Sequence, residues 1–161
     1  MTVFSDLLCV WAYVAQIRID EARAEFGAQL KIVPRCCSVF GDTATKVGVV
    51  HADLADTYTR ALRNAFFVEC RDIGCSAVQR DVLQRVGGDV EAVRAALDDG
   101  FAHATLAADL AAAESARIQG SPTFVLNEGR QILYGNVGYR VLQANIRELL
   151  RVPDAENASW C

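Results

Sequence analysis

The opening of the chain leaves little freedom in topology. Thr2-Val3-Phe4 is a short β-prone run that breaks at Ser5-Asp6. From Trp11 to Phe26 the apolar positions Ala15, Ile19, Ala22 and Phe26 follow i, i+4, i+7 and i+11, with charges on the opposite face. That spacing predicts an amphipathic helix ending at Gly27. Leu30-Lys31-Ile32-Val33 then reads as a second strand, stopped by Pro34. A strand, a helix and a second strand within about 35 residues supply the long crossover that a parallel pair needs, so the two strands are expected to run parallel. The first segment is therefore a βαβ unit.

Beyond Pro34 the apolar period changes twice. Gly41 to Gly48 is polar and reads as a loop. Leu54, Tyr58, Ala61 and Ala65 share one helical face, which Leu62 and Phe66 extend. Asp89 caps a short helix carrying Val90, Val93 and Leu97, which stops at Gly100. An alanine-rich helix runs from about Phe101 to Ile118. Strands then return as Thr123–Leu126 and Gln131–Tyr134, joined as a hairpin through Asn127-Glu128-Gly129-Arg130. Leu142, Ile146, Leu149 and Leu150 mark a closing helix before Pro153, and a tail runs from 153 to 161. With 161 residues the chain is one domain. Residues 1–40 and 119–152 form the two halves of a four-stranded mixed sheet, and residues 50–118 form a helical insertion between them.

Composition narrows the function. A chain that is 52% hydrophobic and 22% charged is globular rather than disordered. Sixteen basic against twenty acidic residues give a net charge of −4, which argues against nucleic acid as the partner. No apolar run reaches the roughly 18 residues of a membrane span. Met1-Thr2-Val3-Phe4-Ser5-Asp6 lacks the basic start of a secretory signal, so the expected compartment is the cytoplasm. There, six cysteines are by default thiols.

Topology gathers three of those thiols. Both strands of a βαβ unit end at one edge of the sheet, which brings Cys9, Cys36 and Cys37 to a common rim. If the third strand is antiparallel to the first, Ser121-Pro122 arrives there too, and ligands of open α/β sheets favour such an edge. Cys9 stands at a helix start, where free N–H groups and the helix dipole favour thiolate over thiol. The competing reading of Cys9 is a buried cysteine that packs as a small hydrophobe. By position alone, Pro122 is an ordinary strand-start proline. Alternation sends one of Cys36 and Cys37 inward and the other to the rim. Cys70 and Cys75 read as packing residues, and Cys161 ends a polar tail. His51 and His103 are expected to be exposed. Asp6, three residues before Cys9, can cap the first helix or act as a proton acceptor, and the cap is the expected role. Arg35 is a rim cation able to meet a substrate carboxylate or Asp42.

These segments resemble a known family. Phe4-Ser5-Asp6-Leu7-Leu8-Cys9-Val10-Trp11-Ala12-Tyr13 resembles the active-site segment of DsbA-family thioredoxin-fold proteins. Asn64-Ala65-Phe66-Phe67-Val68-Glu69-Cys70-Arg71-Asp72-Ile73 and Gly120-Ser121-Pro122-Thr123-Phe124-Val125-Leu126-Asn127 resemble later stretches of its cytosolic FrnE-like branch. That branch is itself similar to 2-hydroxychromene-2-carboxylate isomerases and kappa-class glutathione transferases. The resemblance implies a thioredoxin-like α/β fold, Cys9 as nucleophile, and Trp11, Ser121 and a cis Pro122 as substrate-binding elements. Two departures matter. Redox members carry C-x-x-C, whereas here Ala12 stands at the second cysteine's place, and the stretch after Val39 is short for the family.

Loss of the second thiol changes the expected mechanism. A mixed disulfide on Cys9 must await another thiol: glutathione or a similar small thiol, or Cys36, Cys37 or Cys161. The first reading is a DsbA-type thiol–disulfide oxidoreductase acting on a small-molecule thiol or a protein disulfide. It holds no bound cofactor and contacts neither nucleic acid nor membrane, and a homodimer is the assembly to test. The alternative is a glutathione-dependent isomerase or transferase, with Cys9 at the thiol-activating position. A further alternative is a thiol-rich module that binds a metal or a partner protein, but the spacings C-C and C-x4-C do not match a zinc knuckle, and no metal site is expected.

Overall fold

The computed structural model describes residues 1–39 and 54–151. The expected loop at Gly41–Gly48, His51, Asp42 and the tail with Cys161 lie outside the described residues.

The strands are β1 (Thr2–Ser5), β2 (Val33–Cys36), β3 (Thr123–Leu126) and β4 (Gln131–Tyr134). They form one mixed sheet in the order β2-β1-β3-β4. β1 pairs parallel with β2 and antiparallel with β3, and β3 pairs antiparallel with β4. The helices are α1 (Val10–Phe26), α2 (Ala55–Phe67), α3 (Ser76–Arg85), α4 (Val90–Asp98), α5 (Phe101–Ser115) and α6 (Tyr139–Leu150). Four of them, α2 to α5, lie between β2 and β3 in the chain. This is the thioredoxin-like α/β arrangement of DsbA type.

Two expectations need correction. The second strand is not stopped by Pro34 but contains it, beginning at Val33 and ending at Cys36. β2 is an edge strand. Val33 and Cys37 donate their N–H groups to Met1 O and Ser5 O of the β1 side. By alternation the Pro34 nitrogen faces the open edge, where a missing donor breaks no ladder bond. The second correction is α3, which no sequence signal announced. Its Val82 and Leu83 are buried, and Val78 and Val86 pack beside them.

Two apolar clusters organise the molecule. One joins the sheet to α1 and α6 through Val3, Ala15, Ile19, Ala22, Phe124, Leu142 and Ile146. The other joins the inserted helices through Tyr58, Leu62, Ala65, Ile73, Val82, Leu83 and Val93. Leu7, from the loop between β1 and α1, belongs to the second cluster. The segment that leads to Cys9 is thus pinned by both halves of the fold.

Candidate active site

The rim forms where the parallel pair ends. Ser5 is paired with Cys36, and Phe4 with both Arg35 and Thr123, so β1, β2 and β3 deliver Cys9, Cys36 and Ser121-Pro122 to one edge. The Ser121–Pro122 peptide is cis. Cys9 is the N-cap residue of α1 and makes no side-chain bond to its helix. Its Sγ instead donates to Ser121 O at 3.1 Å. Ser121 fixes the other side of the turn, its Oγ accepting the Asp6 N–H at 2.8 Å.

Cys9 is only 2% exposed, whereas its neighbours Val10 and Trp11 are 46% and 56% exposed. Burial by itself suits the packing cysteine of the competing reading. What the packing reading does not require is its contact with the Ser121 carbonyl at the start of β3.

Asp6 does not cap α1. It is fully buried, with Oδ1 accepting from Leu8 N at 2.9 Å and Oδ2 from Val39 N at 2.6 Å. Its carboxylate sits too early in the chain to reach the first turn of α1, and it ties the β1–α1 loop to the end of β2 instead.

The residue that sequence reasoning missed is Arg63 of α2, 3% exposed. Its Nη2 donates to Asp6 O and Ser5 Oγ, each at 3.0 Å, and its Nε to Leu7 O at 3.4 Å. Asp6 O also accepts the Cys9 N–H at 3.3 Å, so one carbonyl joins the guanidinium to the Cys9 backbone. Burial pushes the arginine below its usual value, and the facing Cys9, Asp56, Asp6 and Cys36 oppose that shift. A buried guanidinium keeps its proton, so the site carries a fixed positive charge.

Beneath the rim lies a cavity of about 120 Å³ between α1, β2, α2 and α5. Ala12, Gln16, Cys36, Arg63, Asp109 and Pro122 are among its walls. Arg35 pairs with Asp109 of α5 at 2.8 Å. The expected partner, Asp42, lies outside the described residues. Asp109 also accepts the Cys36 N–H at 2.8 Å, closing the open edge of β2.

The candidate resolving thiols separate. Cys36 is half-buried and lines the cavity, whereas Cys37 is buried against Phe4 and Ala113 on the other face of the sheet. Cys70 and Cys75 do not pack: both are exposed, and the loop after α2 buries Ile73 between them instead. His103 is exposed as expected. Among the described residues no group of three or more His, Cys, Asp or Glu side chains could hold a metal ion.

Comparison with known proteins agrees with this fold. In three dimensions the chain is similar to the probable DsbA oxidoreductase SCO1869 from Streptomyces coelicolor, with TM-score 0.80 at 19% identity, covering 94% of this chain and 91% of that one. It is similar to a 2-hydroxychromene-2-carboxylate isomerase, with TM-score 0.75 at 17% identity over 92% and 96% of the two chains. It is also similar to the cytosolic disulfide reductase DsbM from Pseudomonas aeruginosa, with TM-score 0.71 at 19% identity over 92% and 100%. At such identities the likeness establishes the fold. No curated protein matches the sequence. The DSBA-like thioredoxin domain matches residues 43–147, a span that includes Arg63 and Pro122 and begins after Cys9. With well over half of its length inside that match, and with a rim built as described, the chain belongs to the DSBA-like thioredoxin domain family.

Proposed function

We propose that this protein is a thiol–disulfide oxidoreductase that works through Cys9 alone and depends on an external small thiol for release. The observation that carries the reading is the Cys9 Sγ held against Ser121 O at 3.1 Å, on the rim where exposed Trp11 can meet a substrate. In the first step the Cys9 thiolate attacks one sulfur of a substrate disulfide. A Cys9–substrate disulfide forms, and the other substrate half leaves as a thiolate. In the second step a small thiolate such as glutathione attacks the substrate sulfur of that bond. Cys9 returns as thiolate, and the substrate leaves as its mixed disulfide with the small thiol, so no net oxidant is consumed. Ala12 supplies no sulfur to compete with that second step.

Cys36 is the better internal rival to the external thiol, because it shares the cavity side of the rim, whereas Cys37 is packed on the other face. A reducing compartment such as the cytoplasm suits this chemistry, since it keeps the external thiol available. The alternative reading, a glutathione-dependent isomerase or transferase, draws support from the likeness to the isomerase fold.

One assay separates them. With a small model disulfide and reduced glutathione, the oxidoreductase reading predicts turnover that rises with glutathione and vanishes in Cys9→Ser. Tight binding of reduced glutathione with no exchange, and full retention of that binding in Cys9→Ser, would replace it with the isomerase reading.

A further inference from the structure

We propose that the cavity beneath the rim is a binding site for a small carboxylate with a short aliphatic body, received by Arg63. The charged side chains around the cavity are equal in number for the two signs but not paired with one another throughout. Four charged side chains line it: Arg35, Asp56, Arg63 and Asp109. Both carboxylates already have guanidinium partners. Asp109 pairs with Arg35 at 2.8 Å, and Asp56 pairs with Arg23 at 3.1 Å and with Arg60 at 3.5 Å. Arg63 alone is left: among the described residues it forms no ion pair, and all its acceptors are neutral oxygens. The nearby Asp6 carboxylate is directed to the Leu8 and Val39 N–H groups.

A buried charge without a counter-ion is costly, and an anion entering the cavity offsets that cost. Gln16 selects the orientation. Its Oε1 accepts from Arg63 at 3.5 Å and its Nε2 donates to Asp56 at 3.4 Å, both long enough to yield to a better partner. The remaining wall is largely aliphatic, with Val3, Ile19, Ile32 and Leu106. The space, about 120 Å³, is several times what one water needs, roughly 10–15 Å³. A buried guanidinium and a largely aliphatic wall in one cavity suit a carboxylate carried on a short hydrocarbon chain.

The test uses the whole protein and butyrate as probe, with butyramide, butylamine and inorganic phosphate as comparisons. Heteronuclear NMR follows the Arg63 Nε–Hε resonance, assigned from its loss in Arg63→Lys. Butyrate is expected to shift that resonance saturably, while butyramide and butylamine leave it in place and phosphate binds more weakly. In calorimetry Arg63→Met weakens butyrate by about tenfold or more, and Arg63→Lys retains part of the affinity. Equal responses to butyrate and butyramide would overturn the role of charge, and phosphate binding as tightly as butyrate would overturn the choice of carboxylate. Should Arg63→Met fail to fold, the wild-type resonance still decides. Disulfide exchange through Cys9 is measured alongside. Exchange without butyrate binding removes this inference and leaves the proposed function standing.

Discussion

Two cysteines of this chain precede helices with nearly the same backbone. Cys9 enters α1 at φ −83° and ψ 114°, and Cys75 enters α3 at φ −76° and ψ 121°, neither with a side-chain bond to its helix. Both sulfurs therefore stand before similar sets of free N–H groups and the same sign of helix dipole. The surroundings differ. Cys9 is 2% exposed and donates to Ser121 O, with Arg63 bonded to the loop that leads to it. Cys75 is exposed on the loop after α2. A helix start is a local feature that any stretch can supply. A carbonyl from β3 and a buried cation from α2 arrive only when distant parts of the chain fold together, and these are what mark Cys9 as the candidate nucleophile.

The largest expected effect breaks or keeps that comparison directly. Cys9→Ser should abolish glutathione-dependent disulfide exchange, while Cys75→Ser leaves its rate unchanged. Equal losses in the two variants would show that the helix start alone matters. Next in size is Ala12→Cys, which restores C-x-x-C beside a cavity able to take the added sulfur. The variant should form an internal disulfide, visible by intact mass, and release substrate without external thiol.

Stability measurements sharpen the contrast among helix starts. Among the described helices α4 is the one whose N-cap side chain caps it, with Asp89 Oδ1 accepting from Glu91 N at 2.9 Å and Ala92 N at 3.1 Å. Asp89→Ala should cost about 1 kcal/mol in urea unfolding, with Cys9 chemistry intact. Cys75→Asp supplies the acceptor that α3 lacks and should stabilise by about 0.5 kcal/mol. The same change at Cys9 should instead destabilise, because it buries a carboxylate.

The smallest effect concerns pH and lies far from the rim. Tyr139, Gln143 and Arg147 of α6 all donate to Glu25 of α1 and hold its carboxyl down at about 2, below the usual 4.5. A depressed carboxyl stabilises the fold above its unfolded value and loses that contribution as pH falls. The stability of wild type should therefore drop from about pH 4.5 to about pH 2 by an increment that Glu25→Gln lacks. Parallel pH curves for the two proteins would refute it.

The sheet was legible because its signals are local. Period-2 runs, the Asn127–Arg130 hairpin and the Ala15/Ile19/Ala22/Phe26 stripe each lie within one segment. Cys9 was legible as a candidate because parallel strand ends converge on one edge, whereas Pro122 became one only through the family resemblance, its position alone reading as an ordinary strand start. Arg63 was not legible. It sits beside the Tyr58/Leu62/Ala65 stripe, where an arginine ordinarily lies along a solvated face, and only the packing of α2 over the β1–α1 loop buries it. Pro34 misled for a similar reason: whether a proline stops a strand depends on which side of it is paired, and only the sheet order β2-β1-β3-β4 decides that. Cys70 and Cys75 misled in the opposite sense, since cysteine is so often buried that exposure is the surprise.

The proposed function requires that position in the fold, rather than exposure, make Cys9 the reacting thiol. Oxidised glutathione added to the folded protein, with quenching at successive times and peptide mapping by mass, tests this most directly. The first adduct, one per chain, should form on Cys9 despite its burial, ahead of the exposed Cys70 and Cys75. Early adducts on Cys70 and Cys75, with Cys9 unmodified until the protein unfolds, would contradict it and leave Cys9 a packing residue.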